Sequence, residues 1–139
     1  MEKVEECALP QAIESEPVLE SLLSKPSRES VEVLSKLQGD VLILGAGGKI
    51  GPSLAKLVKN AVEESGVERR VCAVSRFSRP EVKEGLAALG IETISCDLLE
   101  EGSLASVPEM PNVIFMVGMK FGTEENEPLT WATNAYVPG

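Results

Sequence analysis

The chain has 139 residues, 43% hydrophobic and 25% charged, which is one domain's worth of a globular protein with enough apolar side chain for a real core. Its net charge of −9 argues against nucleic acid or an anionic membrane as main partner, and no apolar run approaches the roughly 18 residues that cross a bilayer. There is no histidine, and Cys7, Cys72 and Cys96 stand far apart without a Cys-x-x-Cys pair, so no metal site is expected and reduced, buried thiols in a cytoplasmic protein are.

The first residues, with Glu2, Glu5 and Glu6, lack the basic region and apolar core of a secretory signal. Residues 1–38 read as a helical arm. Val18, Leu19, Leu22 and Leu23 have helical spacing, and a second run of Val31, Leu34 and Leu37 follows Pro26. Ser27 or Ser30 can cap that second helix and Gly39 can end it. Both stripes must be buried somewhere, and packing on the chain's own domain is favoured over a partner. No chemistry is visible in the arm.

From residue 40 the pattern changes. Val41, Leu42, Ile43 and Leu44 form an apolar run of strand length, which enters the turn Gly45-Ala46-Gly47-Gly48-Lys49-Ile50-Gly51. The apolar residues then switch to helical spacing at Ile50, Leu54, Leu57, Val58 and Ala61. A strand, a glycine turn and a helix in that order present unpaired N–H groups and a positive dipole end to a phosphate. The spacing decides which device this is. A triphosphate loop needs its first glycine where Ile43 stands and Ser or Thr where Ile50 stands; Gly-x-Gly-x-x-Gly from Gly45 would also need glycine at 50. Gly45-x-x-Gly48-x-x-Gly51 fits throughout. Gly45 then permits the sharp exit from the strand, Gly48 lets backbone approach a diphosphate, and Gly51 lets the helix pack tightly on the strand. Lys49 and Ile50 belong to the same turn, and Pro52 suits a first helical turn.

Further elements alternate. A second strand is expected at Val71–Ser75, a helix at Pro80–Leu89 stopped by Gly90, and a third strand at Ile91–Cys96. A short helical piece over Leu98–Val107, a fourth strand at Val113–Val117 and a last helix from about Pro128 follow. This alternation predicts an α/β fold with a parallel sheet covered on both faces, strand order 3-2-1-4, and a ligand crevice between strands 1 and 4.

Four sites bear on chemistry. At the end of strand 2, where a carboxylate would accept from a free ribose 2′-hydroxyl, the chain offers Ser75 and Arg76, which suit a 2′-phosphate; Lys49 adds a second positive charge. NADP is therefore favoured over NAD. Asp97, followed by Leu98 at the end of strand 3, can accept from an adenine amine or cap the next helix. At the end of strand 4, Val117 and Gly118 pass the ribose and nicotinamide side, while Lys120 is a weak candidate base better read as solvated or phosphate-facing. Asn134 is a mediocre helix residue, so a hydrogen-bonding task is expected of it. Trp131 and Tyr136 read as packing aromatics.

Gly45-x-x-Gly48-x-x-Gly51, Cys96-Asp97-Leu98, Val113–Gly118 and Asn134 together resemble the N-terminal half of an extended short-chain dehydrogenase/reductase, the NAD(P)-dependent epimerase/dehydratase family. The resemblance covers residues 40–139 and leaves the arm outside it. It implies a Rossmann-type, doubly wound sheet cut short after strand 4, with residues 39–139 as an incomplete NAD(P)-binding domain. It also implies diphosphate binding at Gly45, Gly48 and Gly51, ribose or 2′-phosphate contact at Arg76 and adenine contact at Asp97. Asn134 would match an asparagine that holds the central strands or a water near the active site. The substrate class implied is a sugar nucleotide or similar carbonyl or alcohol.

The departure is equally clear. The family's acid/base is a tyrosine in Tyr-x-x-x-Lys, and the one tyrosine here, Tyr136, has no such lysine. Two expectations follow. Either the chain is the cofactor-binding portion of a longer oxidoreductase, inactive alone and completed by its missing half or by a second copy, or it is a stand-alone dinucleotide-binding or regulatory module without catalysis.

Overall fold

The computed structural model describes residues 9–119 and 124–138. Lys120 and Cys7 lie outside these, as do Phe121, Gly122 and Thr123. In chain order the elements are α1 (Glu16–Leu23), α2 (Arg28–Lys36), β1 (Val41–Leu44), α3 (Gly51–Ser65), β2 (Val71–Ser75), α4 (Pro80–Ala88), β3 (Glu92–Ser95), a 3-10 turn (Ser103–Ser106), β4 (Asn112–Phe115), α5 (Glu127–Trp131) and a π turn (Ala132–Tyr136). The four strands form one all-parallel sheet in the order β3-β2-β1-β4.

Alternation along the central strands divides the core in two. Val41, Ile43, Val71 and Ala73 face a cluster built with Val58, Ala61 and Val62 of α3, Leu86 of α4 and Leu34 of α2. Leu42, Cys72 and Val74 face the other side, where Cys96 and Met110 cover them, flanked by Leu98 and Val107. The first face carries three α-helices. The second is covered by residues 96–111, which were expected to hold a helical piece and instead turn repeatedly, with 3-10 geometry only at Ser103–Ser106. The Ser103 hydroxyl donates to Asp97 O (2.6 Å) and the Cys96 thiol to Ser103 O (3.6 Å), local bonds that compete with α-helix.

β1 and β2 match the sequence reading, while β3 and β4 are shorter than expected and their edges are less buried. Backbone pairing runs one residue past each: Cys96 N donates to Ser75 O (2.9 Å) and Met116 N to Leu44 O (2.8 Å). The last helix gives way after Trp131 to the π turn, an irregularity that helical periodicity does not reveal.

The arm packs on its own domain, but by different means for its two helices. Ser27 caps α2, accepting from Ser30 N (3.2 Å), and Leu34 enters the core with Val31 and Leu37 against it. Arg69 then binds the arm's end, donating to Leu34 O (2.9 Å), Leu37 O (2.7 Å) and Gly39 O. In α1 the apolar residues Val18, Leu19 and Leu23 stay exposed, contrary to the expected burial. Polar bonds to α3 hold this helix: Ser53 and Lys56 both donate to the Glu20 carboxylate (2.6 and 2.8 Å), and Asn60 donates to Ser24 O (2.9 Å).

Candidate functional site

In a parallel sheet all strands end on the same side, and the crevice lies there. It measures about 410 Å³, within the range of small-molecule and cofactor sites. β1 contributes Gly45, Gly47 and Gly48; β2 contributes Val74, Ser75, Arg76 and Ser78. The exit of β3 supplies Cys96, Asp97, Leu98 and Leu99, and that of β4 supplies Met116 through Met119. Leu129, Thr133 and Val137 close the far side.

The glycines of the turn differ in what they do for the protein. Gly45 has φ of 90°, and a Cβ there would stand 2.8 Å from the Met116 carbonyl carbon. Gly47 faces Ser75: its Cβ would stand 2.5 Å from the Ser75 hydroxyl. At Gly51 a Cβ would lie 2.3 Å from Ala46 O, so this glycine packs the helix against the turn itself, not against the strand as expected. Gly48 is the exception. It has no left-handed φ, and its nearest neighbour would be Gly45 O at 3.5 Å, an ordinary contact. The fold gives Gly48 no internal reason to lack a side chain, and it borders the crevice.

The helix behind the turn is also left open. α1, α2 and α5 are capped by the side chains of Ser15, Ser27 and Asn126, whereas α3, preceded by Ile50, and α4, preceded by Arg79, have no side-chain cap. The first-turn N–H groups of the longest helix thus have no side-chain acceptor, and its dipole favours an anion.

Arg76 is the one cation lining the crevice among the described residues, and neither it nor Ser78 has a hydrogen-bond or ion-pair partner there. Arg69 and Arg70, at the opposite end of β2, are engaged, Arg69 with the arm and Arg70 with Asp40 (2.7 Å) and Glu92 (3.7 Å), while Arg79 is exposed and does not line the crevice. Asp97 serves locally, its Oδ1 accepting from Leu99 N (3.1 Å). This turn-capping role leaves Oδ2 for a ligand.

Asn134 does not line the crevice; it holds the wall. Its Oδ1 accepts from Met119 N (2.7 Å) and its Nδ2 donates to Met119 O (2.9 Å), which fixes the chain just past Gly118. The Gly118 Cβ position lies 3.4 Å from the same Oδ1, so a side chain there would be in van der Waals contact with the clamp.

Of the residues singled out from sequence, the structure gathers Gly45, Gly48, Ser75, Arg76, Asp97, Leu98, Val117 and Gly118 around one crevice. Lys49 and Ile50 do not line it: both are exposed, and Ile50 is 69% accessible, ahead of the first helical turn and not on the buried face of α3. Gly51 sits behind the turn. Sequence reasoning missed Gly47, whose constraint comes from Ser75 across the sheet, and missed Ser78 and Thr133. Among the described residues no three His, Cys, Asp or Glu side chains group together as metal ligands, and no helix is long and apolar enough to cross a membrane.

Searches with protein-family models, curated proteins and solved structures found no match to this chain.

Proposed function

We propose that the chain is a Rossmann-type domain that binds a nicotinamide dinucleotide, NADP in preference to NAD, as the cofactor-binding portion of an epimerase/dehydratase-type oxidoreductase. The observation that carries the reading is Gly48, a glycine that the fold does not need, at the rim of a crevice and beside an uncapped helix N-terminus. A diphosphate accounts for all three features, since it needs backbone approach, free N–H donors and a favourable dipole. On this reading the turn at Gly45–Gly48 holds the diphosphate, Ser75 and Arg76 take the adenosine ribose and its 2′-phosphate, and Asp97 accepts from adenine. Val117 and Gly118, held by Asn134 through Met119, border the nicotinamide half. Bound there, the cofactor would supply hydride transfer.

The reading also assigns the chemistry to residues outside this crevice. The outer edge of β4 pairs with no strand among the described residues, and Val113 and Phe115 are 51% and 40% accessible on the sheet face that residues 96–111 cover elsewhere. That edge fits a further strand, from the catalytic half of a longer enzyme or from a second copy.

The test is titration of the purified chain with NADPH and NADH, read by calorimetry. Saturable binding of both, tighter for NADPH, is expected. Absence of saturable binding at millimolar concentration for either sinks the proposal. Tighter binding of NADH removes the role given to Arg76 and leaves the rest.

A further inference from the structure

Between the crevice residues Arg76 and Ser78 stands Phe77, with φ of 48°. Among the described residues it is the one side chain other than glycine in the left-handed region. A bulky residue is a poor choice there, because its Cβ crowds the following carbonyl, and such backbone persists only where its surroundings hold it. The surroundings are visible. Phe77 is 7% accessible and belongs to the core cluster shared by α3, α4 and the central strands. Its Cδ1 lies 3.5 Å from the Cβ position of Gly47, so the ring also supports the glycine turn.

If the turn were needed only to reverse the chain into α4, glycine would meet the need without steric strain and asparagine with less of it. A buried aromatic adds an anchor. Extended backbone at residue 77 would carry Ser78 away along the strand direction, whereas a left-handed residue folds the chain and brings its two flanking residues to one side of the site. Both of those, Arg76 and Ser78, are exposed and without partners among the described residues.

We propose that Phe77 is a positioning residue: its buried ring locks a left-handed turn that presents the Arg76 guanidinium and the Ser78 hydroxyl together to the 2′-phosphate of the adenosine ribose. This rests on the dinucleotide reading above. The guanidinium gives charge and direction, and the hydroxyl donates a further charge-assisted bond. Phe77 itself touches no ligand.

The experiment compares two probes that differ by one phosphate, adenosine 2′,5′-bisphosphate and adenosine 5′-monophosphate, on the wild-type chain and on Phe77→Gly, Phe77→Leu and Ser78→Ala. The wild type is expected to prefer the bisphosphate by about tenfold or more. Phe77→Gly frees the turn, and Ser78→Ala removes the hydroxyl; each should reduce that preference to about threefold or less while the monophosphate affinity stays within about twofold. Phe77→Leu, which keeps an apolar anchor, should retain most of it. Full preference in Ser78→Ala overturns the proposal and leaves the dinucleotide reading standing, as does equal loss of both probes in Phe77→Gly. If Phe77→Gly does not fold, Ser78→Ala and Phe77→Leu decide. A wild type that binds neither probe nor either dinucleotide defeats both readings together.

Discussion

Alanine substitution at Gly48 and Gly51 gives opposite outcomes that no general glycine argument would produce. At Gly48 the added methyl meets nothing closer than 3.5 Å and the backbone is not left-handed, so the folded state accommodates it. Alanine also restricts the unfolded chain, and Gly48→Ala should leave stability unchanged or raise it by about 0.4–1 kcal/mol. The same methyl enters the space that the proposed dinucleotide reading gives to the diphosphate. NADPH affinity should fall at least about tenfold, or about 1.4 kcal/mol. At Gly51 the methyl would stand 2.3 Å from Ala46 O and 2.5 Å from its carbonyl carbon, both backbone atoms that cannot swing aside. The first turn of α3 must shift by about an ångström, at the 1–3 kcal/mol typical of overpacking, or about 3–15 °C in Tm for a domain of this size. Thermal unfolding and NADPH titration on the two variants read both quantities. A Gly48→Ala protein that binds NADPH as the wild type does would falsify the diphosphate assignment. One destabilised by more than about 1 kcal/mol would show that Gly48 is structural after all.

Arg76→Ala should weaken NADPH binding by about 10- to 100-fold, the worth of a charge-assisted bond or two, and leave NADH unchanged; equal losses for both would contradict a 2′-phosphate contact. Arg69→Ala strips three carbonyls at the end of the arm of their shared donor and should cost about 2–3 kcal/mol in urea unfolding, with a loss under about 0.5 kcal/mol contradicting the clamp. The bond from Lys56, and then that from Ser53, hold the Glu20 carboxyl below its ordinary 4.5. Its stabilising effect is therefore present above that value and lost as pH falls through the lower folded-state value. Glu20→Gln should be less stable than wild type near neutrality and converge with it in strong acid; a gap independent of pH in denaturant midpoints would remove the ion pair from the account. Burial, reinforced by the Glu92 carboxylate, pushes the Cys72 thiol up to about 11, so thiol reagents should label Cys72 only in denaturant. Labelling in native buffer at the rate of a free thiol, mapped by mass spectrometry, would show that its strand opens.

β1, β2 and the strand order were legible because their signals are local or follow from connectivity. Four apolar residues in a row mark a strand buried on both faces, and alternating β and α elements leave few ways to order the sheet. What escaped detection depends on contacts distant in sequence. Gly47 looks like a spare glycine until Ser75 and Phe77 are set against it. Ile50 has the right spacing for the helix face, but α3 begins one residue later and leaves it in solvent. The segment 97–107 has helical apolar spacing, yet Asp97, Ser103 and Ser106 spend their side-chain bonds on nearby backbone and break it into turns. Arg69 reads as a surface charge from sequence, because the three carbonyls that it binds belong to residues about 30 positions earlier.

The arm shows how a polar stripe can be structural. On α3 the sheet side is built from Ala55, Val58, Ala61 and Val62, whose small size lets the helix lie close to β1 and β2. On another side Ser53, Lys56 and Asn60 recur at helical spacing, which in isolation describes a solvated face. Here that stripe receives α1, through Glu20 and the Ser24 carbonyl. Ser53 is buried two residues beyond Gly51, so its bond to Glu20 ties the arm to the first turn of the helix that follows the glycine turn. On the proposed reading the turn presents N–H groups to a ligand, which needs its helix fixed along the axis as well as against the sheet. Apolar packing over alanine and valine resists separation more than sliding, whereas directional bonds at Ser53 and Asn60, two turns apart, resist sliding. The arm therefore contributes to the crevice without touching it.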